Sequence, residues 1–333
     1  MNSFVEMNMF KTKGITNMLK GIKAKALLIG TLVFSFLISG CGVKKDSDDR
    51  VMLEFGSNIT EVNSAGKKKL LDQGSRSYWQ YDPDDKLLIA SGSNIVIYNT
   101  ETGAATSIGL PHEQNLLDDF KYEGQKMKGL NAWYEDGKVS VYALNLTDDT
   151  LVVFAFDCET EELVDTTRYD IKKPHFVRDT GKLLVYMSRH DLYIYDKTTG
   201  ETKTVASDMG SQPGRDYNEL IVLNGDKSKV LFVKTIDDAP VLYEYDIPSG
   251  KTREVYKCSK DNYITGFTYA LESNKIYLRY GKKKQAVFNF GTNMYYHCLP
   301  NHTMVITTDG RNYELHSSLF QGYNWQTTGI VVY

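Results

Sequence analysis

Histidine, cysteine and acidic residues are the side chains of this sequence that could bind a metal or carry out catalysis. The six histidines are scattered along the 333 residues, and only His297 and His302 lie close together, with Cys298 beside the first. Imidazole and thiolate groups both bind zinc, but no fourth donor has a suitable spacing. We therefore interpret this segment as a strand end and a turn, and the sequence predicts no metal site.

Sequence motifs that are typical of enzymes are absent. The chain has no Gly-x-Ser-x-Gly, His-Glu-x-x-His, phosphate-binding loop or Gly-x-Gly-x-x-Gly motif. Its acidic residues could act as paired carboxylates, but they recur at one position of a sequence repeat, which favours a role in turn geometry. We expect no catalytic residue and no cofactor.

The composition is that of a folded protein rich in strands. Hydrophobic residues make up 41% of the chain and charged residues 24%, so the chain can bury a core. Aromatic residues reach 12%, with 23 tyrosines, and this bias favours strands. The net charge of −3 leaves no basic excess to hold a phosphate backbone, so we do not expect a nucleic-acid partner.

The first forty residues predict a signal peptide. Residues 26–40 form an uncharged apolar run that follows a lysine-rich segment, which is the pattern of a secretory signal. The run ends in Ile38-Ser39-Gly40-Cys41, which resembles the lipobox of bacterial lipoproteins. The resemblance implies that Cys41 is lipidated and becomes the first mature residue. A lipid there would anchor the protein at the extracytoplasmic side of a cell membrane.

The remaining chain is expected to be a short tether followed by one domain. Residues 41–50 are polar and predict a flexible tether, and residues 51–333 predict a single monomeric domain. The signal contains five basic residues and one acid, so its removal changes the net charge from −3 to −7. Met18 is an alternative start. Which bacterial membrane would carry the anchor is left open.

A repeat organises the domain. Clusters of Asp, Asn and Gly are each followed by a basic residue and then by an apolar segment. These clusters predict tight turns that each open a hairpin. The six basic residues, with spacings of 52, 44, 47, 46 and 36, are Lys86, Lys138, Lys182, Lys229, Lys275 and Arg311.

A second element follows the first at a fixed distance. An aromatic segment ends in Tyr98-Asn99, Tyr195-Asp196 or Tyr245-Asp246, and a glycine comes four residues after the polar residue. Looser copies are residues 153–157 and 286–290. Each unit of 40 to 50 residues thus predicts four antiparallel strands, as in a β-propeller blade.

Both elements resemble the repeats of TolB-like bacterial propellers and, more distantly, WD-repeat blades. The resemblance implies an all-β propeller over residues 51–333. Dividing the 293 mature residues by seven gives about 42 per blade, so seven blades are preferred and six are nearly as good. The two chain ends are expected to complete one blade together. Residues 111–127 do not fit a strand and are interpreted as an irregular link.

The expected function is that of a binding or scaffolding module for an envelope protein or a ligand. The connections between second and third strands vary among the units and share one face with the links between blades, so we expect binding there. The candidate contacts are Asp148, Asp149, Arg189, His190, Asp237 and Asp238. The alternative is a propeller enzyme, similar to lactonases, cyclotransferases or lyases, with a site at the central funnel.

The cysteines other than Cys41 allow at most one disulfide. Cys158, Cys258 and Cys298 are an odd number for an exported protein. A bridge between Cys258 and Cys298 is left open, and three free thiols are favoured.

Overall fold

The computed structural model consists of strands and short turns. It describes residues 51–55, 58–63, 66–72, 78–82, 85–91, 95–108, 119–209, 221–270, 275–283, 287–288, 294–295, 298–306, 312–314 and 330–332. The predicted signal, Cys41 and the predicted tether lie outside these residues. In the described part of the chain, no helix is long and apolar enough to cross a membrane.

Twenty-seven strands occur in these residues. The first nine are β1 (Val51–Phe55), β2 (Asn58–Asn63), β3 (Gly66–Asp72), β4 (Tyr78–Asp82), β5 (Leu87–Ser91), β6 (Ile95–Asn99), β7 (Ala105–Ile108), β8 (Asp119–Tyr122) and β9 (Gln125–Glu135). The next nine are β10 (Lys138–Asn145), β11 (Thr150–Asp157), β12 (Leu163–Lys172), β13 (Pro174–Asp179), β14 (Leu183–Ser188), β15 (Asp191–Asp196), β16 (Thr202–Ala206), β17 (Ile221–Leu223) and β18 (Lys229–Ile236). The last nine are β19 (Ala239–Asp246), β20 (Lys251–Lys257), β21 (Asn262–Tyr269), β22 (Ile276–Lys283), β23 (Val287–Phe288), β24 (Met294–Tyr295), β25 (Cys298–Ile306), β26 (Asn312–Glu314) and β27 (Ile330–Val332).

These strands form six antiparallel sheets of four or five strands and one two-stranded hairpin. In chain order, sheet 1 is β27-β1-β2-β3, sheet 2 is β4 to β7, sheet 3 is β8 to β12, sheet 4 is β13 to β16, sheet 5 is β17 to β20, and sheet 6 is β21-β22-β25-β26. In sheet 3, β8 is an additional inner strand and β9 to β12 are counted as the first to fourth strands. With this numbering, each second strand of sheets 2 to 6 begins at or directly after one of the predicted basic residues. The hairpin prediction is confirmed for these five units.

The apolar second strands are covered on both faces. In β14, Leu184 and Tyr186 pack with side chains of sheet 3, whereas Val185 and Met187 pack with side chains of sheet 5. Successive side chains of a strand point to opposite faces, so sheet 4 lies between its two neighbours. This double burial explains why β14 is apolar without alternation.

The inner strands of neighbouring sheets contact one another in series. Contacts join β4 to β9, β9 to β13, β13 to β17, β17 to β21, and β21 to β27. The last strand, β27, pairs antiparallel with β1, with Val332 opposite Val51. The expectation that the two ends of the domain complete one sheet is therefore confirmed. The fold is an all-β propeller of antiparallel sheets.

Side-chain amides connect the inner strands at two junctions. Between sheets 2 and 3, Gln80 donates to the Tyr134 carbonyl at 2.8 Å and accepts from the Tyr134 N–H at 2.9 Å. Between sheets 3 and 4, Asn131 makes the same pair of bonds to Val177, at 2.9 and 3.0 Å. Each amide thereby satisfies two backbone groups that would otherwise lack a protein partner at the edge of a sheet.

Sheet 6 departs from the prediction. Residues 286–290 are not its third strand, because Val287–Phe288 pairs with Met294–Tyr295 in a hairpin inserted between β22 and β25. The third strand is Cys298–Ile306, and β26 pairs with it as the fourth. Arg311 therefore directly precedes a fourth strand in the sequence, and the sixth cluster does not open a new unit. This is why the last spacing of the repeat is the shortest.

The link between sheets 2 and 3 was also predicted incorrectly. Residues 111–127 contain β8, which pairs with the first residues of β9 at the inner edge of sheet 3. Phe120 of β8 is buried, which fixes this short strand against the core. Cys158 and Cys258 are free thiols, whereas the side chain of Cys298 lies outside the described part.

Candidate binding face

The ends of the strands define two faces with different chemistry. The turn face carries the connections between first and second strands and between third and fourth strands. These connections touch each other, as where Ile247 donates its N–H to the Ser228 carbonyl at 2.9 Å. The middle-loop face carries the connections between second and third strands together with the links between sheets. There, Lys173 of a link donates its N–H to the Asp149 carbonyl at 2.9 Å.

Polar side chains cap the turns of the turn face. The connection between third and fourth strands begins with an Asn or Asp whose side chain accepts bonds from N–H groups two or three residues later. Asp196, for example, accepts from Thr198 at 2.8 Å and from Thr199 at 3.2 Å. The equivalent caps in sheets 2, 3 and 5 are Asn99, Asp157 and Asp246. Asx turns of this kind give the backbone polar groups local partners.

The glycine of this motif lies close to the hydroxyl group of the tyrosine. Gly200 has φ of 75°, and a Cβ atom there would lie 3.8 Å from the Tyr195 hydroxyl. At Gly250 the corresponding distance to the Tyr245 hydroxyl is 3.7 Å. Left-handed φ favours glycine, so the repeated tyrosine, cap and glycine form one structural unit. In sheet 3 the equivalent position is occupied by Glu161, with φ of 61°.

The capping carboxylates of the turn face are ionised at neutral pH. Hydrogen bonds from neighbouring backbone and hydroxyl groups hold the pKa values of Asp157, Asp196 and Asp246 below the ordinary aspartate value. A carboxylate that accepts several such bonds favours its charged form. These acids therefore maintain turn geometry, as the sequence repeat predicts.

Contacts between sheets also use side chains of the turn face. The Tyr134 hydroxyl donates to Asp85 at 2.7 Å, and burial, followed by this bond, raises the pKa of Tyr134. Lys227 of sheet 5 forms an ion pair with Glu135 of sheet 3. Much of the polar chemistry described for this face is thus engaged within the protein.

Asp148 and Asp149 lie in the middle loop of sheet 3, as predicted. The Asp148 carboxylate accepts bonds from the Thr150 hydroxyl at 2.5 Å and the Thr150 N–H at 3.1 Å, so it also caps its own loop. Asp149 forms an ion pair with Lys173 at 3.2 Å. Asp148 is exposed and Asp149 half-buried.

Arg189 and His190 form a two-residue turn between β14 and β15, and both are exposed. Buried Met209, in the chain that leaves sheet 4, donates its N–H to the His190 carbonyl at 2.8 Å. The Met209 carbonyl accepts from the N–H of Thr235 in sheet 5 at 3.0 Å. One residue thus holds the middle loops of two neighbouring sheets.

Asp237 and Asp238 form the middle loop of sheet 5. Their φ values are 49° and 65°, and the flanking residues Ile236 and Ala239 are paired. Two left-handed central residues define a type I′ hairpin turn, in which Asp and Asn are tolerated. Both side chains are exposed.

His175 is a residue of this face that the sequence did not single out. It stands near the start of β13, and the described neighbours that act on its ring include Lys128 and His190. Partial desolvation, followed by the electrostatic effect of Lys128 and His190, lowers the pKa of His175. The sequence feature that could have identified His175 is its position shortly after the basic pair at 172 and 173, where an inner strand begins.

The six candidate residues occupy three neighbouring loops on one face. Among the described side chains, no group of three or more His, Cys, Asp or Glu residues could hold a metal ion. His297 and its neighbourhood lie outside the described side chains. The arrangement presents charged groups on tight turns and is suited to recognition of a polar surface.

Comparison with solved structures identifies the fold. The chain resembles one in the crystal structure of a nidogen/laminin complex, with a TM-score of 0.51, 10% identity, and coverage of 85% of this chain and 98% of that chain. It also resembles TolB from Acinetobacter baumannii, with a TM-score of 0.51, 15% identity, and coverage of 85% and 66% of the two chains. The protein therefore has a TolB-like β-propeller fold. No protein-family model matches the sequence, and no curated protein matches it.

Proposed function

We propose that this protein is a membrane-anchored extracytoplasmic lipoprotein whose propeller binds an envelope protein or a ligand through its middle-loop face. The fold alone is compatible with many functions. The proposal rests on the arrangement of the loops and on the sequence that precedes the domain.

The observation that carries the binding proposal is that the middle-loop face exposes charged side chains on loops whose backbone is held in place. Five of the six candidate side chains are exposed. Backbone hydrogen bonds of Met209 and Lys173 hold these loops, the Asp148 carboxylate caps its own loop, and Asp149 pairs with Lys173. Recognition surfaces often consist of loops that a rigid scaffold positions. Loops that are already ordered also lose less entropy when a partner binds.

We propose six blades in the ring, one for each sheet of four or five strands. Support comes from the series of contacts between inner strands and from the pairing of β27 with β1. Dividing the chain length by the length of a blade favours seven blades. Part of that length lies in the β23–β24 hairpin and in β8, which are additions to the four-stranded sheets. A propeller ring leaves only short, protected sheet edges.

The proposed anchor is a lipid on Cys41. Support comes from the lipobox resemblance of residues 38–41 and from the lysine-rich and apolar segments before it. Fractionation of cells that express Cys41→Ala tests the anchor. Loss of the variant from the membrane is expected, and unchanged retention would contradict the proposal.

Binding is tested by removing charge from the middle-loop face without disturbing its turns. The double variant Asp237→Asn, Asp238→Asn keeps residues that tolerate left-handed φ. The matched control, Glu159→Gln with Glu201→Gln, removes two exposed charges from the turn face. Full-length proteins are compared for the molecules that co-purify with them from the native envelope. We expect the first variant to lose a specific partner and the control to keep it; the reverse would reject the assignment.

A further inference from the structure

We infer that the middle-loop face contains a site for a single phosphoryl group, formed by Lys128, His175 and His190 at the junction of sheets 3 and 4. These basic side chains come from three separate elements, which are the start of β9, the start of β13 and the turn between β14 and β15. The inference rests on the proposed binding face and names the chemistry of the partner that this face would recognise.

The alignment of two neighbouring inner strands places Lys128 beside His175. The amide of Asn131 bonds to both backbone groups of Val177, so these two residues lie at the same level. Both strands start on the middle-loop face and run parallel, so His175 lies at about the level of Gly129, two residues before Asn131. Lys128 precedes this glycine, and its side chain is exposed.

The side chain of Lys128 points toward sheet 4. Its neighbour Met127 packs in the core that sheets 2 and 3 share. Successive side chains of a strand point to opposite faces, so Lys128 is directed toward β13. The effect of the Lys128 charge on the pKa of His175 agrees with this placement.

Backbone contacts bring the turn between β14 and β15 to the same place. Pro174, at the start of β13, lies opposite Ser188 of β14. The Ser188 hydroxyl donates to a carbonyl of the link that precedes β13, at 3.1 Å. On the other side of the turn, the His190 carbonyl accepts from the Met209 N–H at 2.8 Å. The turn is therefore held beside His175, and His190 acts electrostatically on its ring.

Other charged groups of these loops are already paired within the protein. Lys172 forms an ion pair with Asp170 at 2.9 Å, and Lys173 forms one with Asp149 at 3.2 Å. Asp191 accepts bonds from a tyrosine hydroxyl at 2.9 Å and from a backbone N–H at 2.8 Å. The three basic groups of the site repel one another when charged, and an anion between them would relieve this repulsion.

Acidic residues around the site limit the size of the anion that it could accept. Asp119 lies opposite Lys128 in the pairing of β8 with β9. Asp208, in the chain that leaves sheet 4, and Asp237 and Asp238 of sheet 5 are exposed. Negative groups at these positions repel an anionic bilayer or a nucleic acid. A single phosphoryl group could contact the three basic side chains without approaching these acids.

The donors suit a phosphoryl group better than a carboxylate. A carboxylate has two acceptor atoms in one plane, a geometry that the planar fork of an arginine matches. A phosphoryl group has several oxygens that point in different directions, and one ammonium and two imidazoles can each donate to a different oxygen. A bound dianion also favours the protonated form of an imidazole.

Binding should therefore be coupled to protonation of His175. Desolvation, followed by the effects of Lys128 and His190, holds the pKa of His175 below 6.5 in the free protein. A dianion at the site raises this pKa, because it stabilises the imidazolium. The affinity for a dianion should then increase as the pH falls toward the pKa of the free protein.

The test measures binding of small anions to the full-length protein in a non-ionic detergent by isothermal titration calorimetry. Sulfate is the first probe, because it is tetrahedral and keeps its two charges from about pH 7.5 to about pH 5.5, the range in which histidines titrate. Lys128→Gln removes one charge of the site. The matched control, Lys138→Gln, removes an exposed charge at the turn-face end of the same sheet. Thermal unfolding checks that each variant is folded.

We expect sulfate to bind about tenfold more weakly to Lys128→Gln than to wild type and equally well to Lys138→Gln. Affinity should rise about threefold or more from pH 7.5 to pH 5.5, and the rise should be smaller in His175→Gln. Acetate should bind more weakly than sulfate. Absence of sulfate binding, or an equal loss in the two lysine variants, would overturn the site.

Two organic phosphates then distinguish the sources of the phosphoryl group. Glycerol 3-phosphate is a monoester, and glycerophosphoglycerol is the diester of a lipid headgroup without its acyl chains. Tighter binding of one of them, lost in Lys128→Gln, supports the site and identifies the ester; binding of neither would overturn it. If anions fail to bind but Asp237→Asn, Asp238→Asn still loses its partner, this inference alone fails. If that double variant keeps its partner, the proposed binding face fails.

Discussion

The turn face and the middle-loop face use the same residue types for different purposes. On the turn face, Asp196 and its equivalents accept backbone N–H groups, and the turns depend on these side chains. On the middle-loop face, backbone groups such as those of Met209 hold the loops, and Asp237 and Asp238 are exposed. The repeated acidic residues of the turn face therefore have a structural role, whereas exposed Asp237 and Asp238 occupy a turn that backbone pairing forms.

The largest loss of stability is expected for Glu244→Ala, in the half of sheet 5 near the turn face. Glu244 is 4% exposed, accepts bonds from Arg253 at 2.8 Å and from the Tyr269 hydroxyl of sheet 6 at 2.9 Å, and lies near Lys229. Removing it leaves the buried Tyr269 hydroxyl without its acceptor and removes the carboxylate that pairs with Arg253, with an expected loss of about 3 kcal/mol in the free energy of unfolding. Glu254→Ala, an exposed acid on β20, should change this free energy by about 0.5 kcal/mol or less.

The contribution of Glu244 should depend on pH. Burial raises its pKa, but the bonds from Arg253 and Tyr269 and the nearby positive charges outweigh burial, so its pKa is lowered from 4.5. A lowered pKa in the fold stabilises the protein above the unfolded value, and this stabilisation is lost as pH falls through the folded value. The gap between wild type and Glu244→Gln in denaturant melts should therefore shrink below pH 4.5. A gap that widens in acid would contradict this assignment.

A smaller loss is expected midway between the faces, for Asn131→Ala. The variant removes two bonds to the Val177 backbone in a fully buried position, with an expected cost of about 2 kcal/mol. Gln80→Ala removes the equivalent pair between sheets 2 and 3 and should cost less, because Gln80 is half-buried. Equal melting temperatures of wild type and Asn131→Ala would show that the amide bridges do not hold the sheets together.

Gly200→Ala tests the turn face itself. A residue with a Cβ atom at φ of 75° should lower the free energy of unfolding by about 1 kcal/mol. The neighbouring Tyr195 hydroxyl is far enough away that steric contact adds little. Gly200→Asn should cost less, and Glu161→Gly should raise stability, because Glu161 has the same left-handed geometry in sheet 3. Denaturant melts that show destabilisation by Glu161→Gly would contradict this explanation of the motif.

The smallest effect on stability is expected on the middle-loop face. Asp237→Asn with Asp238→Asn keeps the type I′ turn and should change the free energy of unfolding by about 0.5 kcal/mol or less. The variant would then separate binding from folding, since only its interaction with a partner should weaken. A melt shifted as far as that of Gly200→Ala would show that these residues are structural.

Much of the fold could be predicted because the repeat encodes local chemistry. The turns before Lys138 and Lys229 and the motif from Tyr195 to Gly200 depend on residues close in sequence, and their strands follow directly. Sheet 6 could not be predicted in the same way. Residues 286–290 alternate like a third strand, and only the pairing of β25 with β22 decides which segment takes that place.

The candidate face could be predicted from strand order, but its internal contacts could not. Middle loops and links must share one side of an antiparallel sheet, so the positions of Arg189 and Asp237 follow from the repeat. The bonds of Met209 and the proximity of His175 to Lys128 depend on packing between sheets. The sequence of β8 has no clear strand pattern, and burial of Phe120 in the core determines where this strand lies.

Site-specific photo-crosslinking in the native envelope tests most directly which face binds the partner. A photoreactive amino acid is placed at Thr147 on the middle-loop face or at Glu159 on the turn face, two exposed positions at opposite ends of β11. We expect the probe at position 147 to give a discrete crosslinked product that is lost in the Asp237→Asn, Asp238→Asn variant, and the probe at position 159 to give none. A discrete product from position 159 and none from position 147 would contradict the assignment of the binding face.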